Sequence, residues 1–136
     1  MRFLKKKTDN VEVLCVGGDT QLGGHDLDNC ILDYILEVLR NDYNYKAKID
    51  PDDKRRLRNK CEEAKKELSS ANEALITING MVPKHPRIII TLKRGVFEDK
   101  ASKLFKKTID ILHNCVVDSK ISKQSIQEVI LCGGST

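Results

Sequence analysis

Apolar residues recur along this chain with two periods, and each period predicts its own kind of element. Phe3 to Lys7 and Val11 to Val16 are β-prone runs on either side of the polar Thr8-Asp9-Asn10, which predicts a hairpin. Leu27, Ile31, Tyr34, Ile35, Val38 and Leu39 return at helical spacing, with Asp26 and Asp28 in the first turn, where the helix dipole favours acids. The polar stretch from Asn41 to Lys48 ends that helix. A second helix opens at Asp50-Pro51-Asp52, with Asp50 as N-cap and Pro51 at the first helical position. Its apolar stripe is Leu57, Cys61, Ala64 and Leu68, and Ser69-Ser70-Ala71-Asn72 closes it. Ala74 to Ile78 and Ile88 to Leu92 read as strands, with Gly80, Pro83 and Pro86 making the segment between them a loop. Val96 to Val117 reads as a long amphipathic helix with Phe97, Ala101, Leu104, Phe105, Ile109, Leu112 and Val116 on one face. A polar connection from Ile121 to Gln127 leads to Val129-Ile130-Leu131-Cys132, which reads as a buried strand. The pattern is that of an α/β chain.

Two glycine clusters follow predicted strands: Gly17-Gly18-Asp19-Thr20-Gln21-Leu22-Gly23-Gly24 and Gly133-Gly134-Ser135-Thr136. Glycine suits places where backbone must approach a phosphate or ribose with no Cβ in the way. Neither cluster has the spacing of a Walker A loop or a Rossmann fingerprint. Each alone is explained by a tight turn, but their appearance at two strand ends raises the prospect of a ligand. A buried strand running into Gly-Gly-Ser-Thr ordinarily leads on to a helix. The chain is therefore expected to be a piece of a longer protein.

Composition narrows the classes. The chain has 136 residues, 40% of them hydrophobic, 32% charged and only 4% aromatic, without Trp, so its core must be aliphatic. No apolar run approaches the roughly 20 residues of a membrane helix, and no membrane partner is expected. The net charge of +4 is small, and the basic residues lack the interleaved aromatics of a single-strand binder, so no nucleic acid is expected. The charge is uneven, however. From Lys54 to Lys66 seven positive residues face two negative ones, a basic helix surface suited to solvent, phosphate or an acidic partner. The five cysteines (Cys15, Cys30, Cys61, Cys115 and Cys132) form no C-x-x-C pair, which points to reduced, mostly buried thiols and a cytoplasmic location.

The second helix carries the most informative side chains. Arg58, Glu62, Lys65, Lys66 and Ser69 form a stripe beside its apolar seam, with Glu62, Lys65 and Ser69 spaced i, i+3 and i+7. Pairing of Glu62 with Lys65 or Lys66 on a solvated flank accounts for this pattern. So does a polar ligand wall, because carboxylate and hydroxyl suit sugar or base edges and lysine stems suit a ring face. His25, His85 and His113 lie far apart with no metal-ligand spacing, and no catalytic triad can be assembled. Capping and loop roles account for Asp19, Asp26 and Asp28 better than a metal site does.

Several of these segments resemble the heat-shock 70 kDa chaperones of the DnaK type. Gly18-Asp19-Thr20-Gln21-Leu22-Gly23-Gly24-His25-Asp26-Leu27-Asp28-Asn29 is similar to that family's Gly-Asp-Thr-His-Leu-Gly-Gly-Glu-Asp-Phe-Asp-Asn. Arg55-Arg56-Leu57-Arg58, Cys61-Glu62 and Ala64-Lys65-Lys66-Glu67-Leu68-Ser69-Ser70 resemble its Arg-Arg-Leu-Arg…Cys-Glu-Arg-Ala-Lys-Arg-Thr-Leu-Ser-Ser. Phe97-Glu98, Leu104-Phe105 and Leu131-Cys132-Gly133-Gly134-Ser135-Thr136 continue the match in register, so that order and spacing agree from about Val11 to Thr136.

The resemblance implies a fold: a fragment of an actin-like ATPase domain, namely lobe II across residues 1–136, with a small, mainly antiparallel sheet and about three main helices. It implies that Glu62, Lys65, Lys66 and Ser69 face the adenosine of ATP or ADP together with Gly133 and Gly134, and that Gly23 and Gly24 border the cleft at a helix start. Lys66 stands where the family usually has Arg, and an ammonium cannot stack on adenine as a planar guanidinium does. The resemblance implies ATP or ADP with magnesium in the parent protein and weak or no nucleotide binding in this chain alone, since lobe I with the catalytic lysine and the phosphate loops are expected to lie outside it. The parent protein is then expected to be an ATP hydrolase acting in protein folding and the stress response, and this chain alone to be inactive. Nucleotide-exchange factors are expected at Arg55, Arg56 and the strand around Thr77 and Asn79, and client peptides only through a domain absent here. The alternative is a non-catalytic chaperone-like binding module or exchange-factor decoy.

Overall fold

The computed structural model describes residues 2–7, 10–19 and 22–130. The chain divides into two compact units, one of Met1–Gly24 with Lys103–Thr136, the other of His25–Ser102.

In the first unit, β1 (Arg2–Lys7) and β2 (Asn10–Val16) pair antiparallel, as the flanking of a polar turn predicts. Thr8 and Asp9 of that turn lie outside the described residues. The register shifts between Phe3 and Leu4, a bulge that pairs Phe3 with Cys15 and Leu4 with Val13.

The second unit holds a layered core. Helix α1 (Gly24–Asp42) supplies Ile31, Ile35 and Leu39 from the predicted stripe. Helix α2 (Pro51–Glu67) starts as its sequence dictates: Asp50 Oδ2 accepts the Asp52 backbone N–H at 3.0 Å, and Pro51 stands where no intrahelical donor is needed. Leu57, Cys61 and Ala64 face inward from it, followed by Leu68 just past its end. Strands β3 (Glu73–Val82) and β4 (His85–Lys93) form the second antiparallel pair. Alternation sends Ala74, Ile76 and Ile78 inward from β3 and Ile88, Ile90 and Leu92 inward from β4, while Leu75 and Ile89 point out. Burying one face of this hairpin against α1 and α2 is what stabilises it, since an isolated two-stranded ribbon is marginal in water.

The loop expected between these strands is almost absent. Pairing continues to Val82↔His85, leaving Pro83 and Lys84 as the connection. Breakers were tolerated because each sits where it does no harm. Gly80 takes φ +67° inside the register shift between Asn79 and Val82, and Pro86 falls in the same shift between two paired positions.

Helix α3 (Arg94–Asp118) covers the expected span, but its buried side differs from the predicted one. Ala101 and Val116 are buried, whereas Phe105, Ile109 and Leu112 are exposed. In the first unit the contact runs along Ile111 and Cys115 instead, because Gly17 at the end of β2 lies against both. A one-turn 3₁₀ element (Lys123–Ser125) marks the polar connection. Val129 and Ile130 are exposed and outside any strand, contrary to the buried strand expected there; Leu131 and Cys132 lie outside the described residues. Three main helices and two small antiparallel sheets make this an α/β chain of the expected class. Among the described residues, no helix is long and apolar enough to cross a membrane.

Candidate functional site

The predicted polar stripe on α2 forms because Leu57, Cys61 and Ala64 are fixed against the core of the second unit. Their burial sets the helix rotation and turns the next stripe to the rim. Glu62, Lys66 and Ser69 are exposed there. Lys66 Nζ lies 2.8 Å from Glu62 Oε1, an i, i+4 pair with side chains 68% and 51% exposed, so the pair guides the side chains more than it stabilises the fold. Ser69 Oγ turns back to the Lys65 carbonyl at 3.4 Å.

The Lys66 ammonium, hydrogen-bonded to Glu62 and attracting its charge, holds that carboxyl below its ordinary 4.5. The same hydrogen bond and charge hold Lys66 above its ordinary 10.5. Glu62 is depressed, so its share of the pair is present above 4.5 and disappears as pH falls through the lower folded value. Lys66 is raised, so its share is present below 10.5 and disappears as pH rises through the higher folded value. Between those limits a ligand meets a carboxylate and an ammonium already held together.

Lys65 behaves differently. Its ammonium lies 2.7 Å from Asp28 Oδ1 of α1, with side chains only 16% and 12% exposed. The pair is close but not aligned as a hydrogen bond, so the attraction is mainly Coulombic. Asp28 is thus not the helix-capping acid expected from its place near the start of α1; only Asp26 occupies the first turn. Asp28 was the residue that reading along one helix could not assign, since its partner belongs to another. It also helps burial to raise the Cys61 thiol to about 12, desolvation being the larger cause.

Gly23 and Gly24 belong to the first unit by their position in the chain, with α1 starting at Gly24. A Cβ built on Gly23 meets nothing within 4 Å, so no contact within the chain demands a glycine there. Gly133 and Gly134 lie outside the described residues.

A second feature of the same unit joins α2 to β3. Asp53, Arg56, Leu57, Lys60, Thr77 and Asn79 line a cavity of about 270 Å³. Arg56, Thr77 and Asn79, singled out in the sequence from separate segments, therefore share one surface. Arg55 pairs with Asp52 at 3.2 Å and Arg56 with Asp53 at 3.5 Å, both exposed one-turn pairs. Lys60 on the cavity wall is one of the seven positive residues of the Lys54–Lys66 surface, whereas Asp53 carried no signal of its own in the sequence.

In comparison with protein-family models, residues 3–136 match the model described as Hsp70 protein. That match spans nearly every residue and includes both the α2 stripe and the cavity-lining segments. The chain belongs to the Hsp70 family, whose members are ATP-binding chaperones.

Proposed function

We propose that this chain is the adenosine-side lobe of a chaperone ATPase domain, lobe II of an actin-like fold, working in ATP-dependent protein folding in the cytoplasm. The observation that carries this reading is the exposed trio of Glu62 and Lys66 on one rim of α2 and Ser69 in the turn that follows it, backed by Lys65 clamped to Asp28. Glu62 offers acceptor oxygens to a ribose hydroxyl or a base amine, and the Ser69 hydroxyl can donate or accept beside it. The methylene stem of Lys66 offers an apolar surface to a ring face, with its charge kept at the edge by Glu62. Gly23, Gly24, Gly133 and Gly134 complete the proposed nucleotide contacts.

Family members bind ATP or ADP with magnesium. Among the described residues no three His, Cys, Asp or Glu gather as metal ligands. The residues present bind and orient the nucleoside end. The test is calorimetric titration with adenosine. Glu62→Ala should weaken binding about tenfold, the cost of losing a charged hydrogen-bond partner. Lys66→Arg should tighten it about threefold, because a guanidinium plane stacks on a ring. Unchanged affinity in both variants would remove α2 from the nucleotide site.

Exchange factors are proposed to grip the surface of Arg55, Arg56, Thr77 and Asn79. Here the two arginines supply positive charge, while Thr77 and Asn79 are uncharged. Thr77→Glu with Asn79→Asp should therefore strengthen binding to a helical-bundle exchange factor at low salt, mainly through on-rate. The gain should vanish near 0.5 M salt, where screening lengths shrink to roughly 4 Å. Surface plasmon resonance across a salt series measures it. Equal affinity at low salt would place the contact elsewhere.

A further inference from the structure

Cys15 on β2 and Cys115 on α3 are a hundred residues apart in sequence, yet their sulfurs lie 3.0 Å apart within the first unit. The approach depends on Gly17: a Cβ there would stand 3.1 Å from the Cys115 sulfur and 3.5 Å from Ile111 Cγ2. The two thiols differ in access. Cys115 is 1% exposed, while Cys15 is half-buried and open to a small solute. The other described cysteines lack such a neighbour. Cys30 has its sulfur directed at the Lys100 carbonyl, 3.9 Å away, and Cys61 is fully buried in the second core.

We propose that Cys15 and Cys115 are a peroxide-oxidised pair that closes to an intramolecular disulfide joining β2 to α3. The Cys15 thiolate attacks the terminal oxygen of a hydroperoxide, the O–O bond breaks, and the sulfur becomes a sulfenic acid, while the departing hydroxide or alkoxide takes a proton from solvent to leave as water or alcohol. The Cys115 sulfur then attacks the Cys15 sulfur, the S–S bond forms, and the hydroxyl leaves with the Cys115 proton as water. Two electrons pass to one peroxide, and the sulfurs need to close by only about 1 Å to reach disulfide bonding distance.

The pair is protected at neutral pH. The hydrogen bond with Cys115, then desolvation, then electrostatic interaction with Cys115 and the Asp118 charge, hold the Cys15 thiol at about 11. The thiolate is the reactive form, so closure should be slow at pH 7 and accelerate about tenfold per pH unit up to roughly pH 10. Cys115 and Asp118 are the titratable groups acting on it. Once closed, the bridge fixes the strand that runs into the Gly17–Gly24 segment.

The test uses the full chain, reduced and freed of reductant, then treated with hydrogen peroxide. Alkylation and peptide mapping under non-reducing conditions should find one linked peptide, Cys15 to Cys115, with two of the five thiols lost. The melting temperature should rise by roughly 10 °C, the loop enclosed by the bridge being about 100 residues. Cys15→Ser should abolish the linked peptide, and Gly17→Ala, which pushes the Cys115 sulfur away, should slow its formation several-fold. A sulfinic acid at Cys15 with Cys115 still free, or a bridge from Cys15 to any other cysteine, would overturn the proposal.

Discussion

Replacing Asp28 with alanine should destabilise the second unit by about 3 kcal/mol, although Asp28 contributes nothing to the apolar core. The reason is what the change leaves behind. Lys65 would keep a largely desolvated ammonium with the Asp28 carboxylate gone. Breaking a buried pair from one side costs far more than the pair is worth, because the remaining charge stays desolvated after its close opposite charge is lost. Replacing both partners, Asp28→Leu with Lys65→Met, should therefore recover most of the loss. Urea unfolding of the parent chain, Asp28→Leu, Lys65→Met and the double variant gives the cycle. If the single and double variants lose stability equally, the pair is held by surrounding packing and not by charge.

A core truncation sets the second large effect. Ile76→Ala should cost about 3 to 4 kcal/mol, and Leu75→Ala, one residue away, under about 1 kcal/mol. Ile76 is 1% exposed and pairs with Ile90 across the ladder, inside the cluster that α1 and α2 cover. Leu75 is 62% exposed on the opposite face. Removing methyls from Ile76 opens a cavity among close-packed aliphatics, whereas Leu75 loses contacts mostly with water. For a unit of this size the Ile76 loss lowers the melting temperature by roughly 15 °C. Comparable losses at 75 and 76 would mean that the strand register is slipped by one residue.

These two contrasts also show what could be read in the sequence. Local signals were sufficient wherever one element determines its own form. The Asp50-Pro51 start, the Leu57-Cys61-Ala64 seam and the alternation of β3 and β4 all follow from neighbours in the chain. Reading was insufficient wherever a distant partner decides. Gly80 and Pro86 look like breakers until the register shift that accommodates both is seen. The buried side of α3 could not be chosen among several apolar stripes without knowing that β2 arrives at Gly17. The candidate site divides in the same way. The rim of Glu62 and Lys66 on one face of α2, continued by Ser69 in the turn after it, was legible, but the hold of Asp28 on Lys65 and the meeting of Arg56 with Thr77 and Asn79 exist only across elements.

On the proposed reading, α2 presents an adenosine-facing rim, and nucleotide phosphates find few partners among the described residues. Following backbone amide shifts while titrating the full chain, first with adenosine and then with ADP, tests it most directly. Both ligands should bind with Kd near 1 mM, about −4 kcal/mol, with affinities alike and the largest shifts between Glu62 and Ser69. Submicromolar ADP binding far tighter than that of adenosine, or saturating shifts that leave α2 untouched, would contradict it.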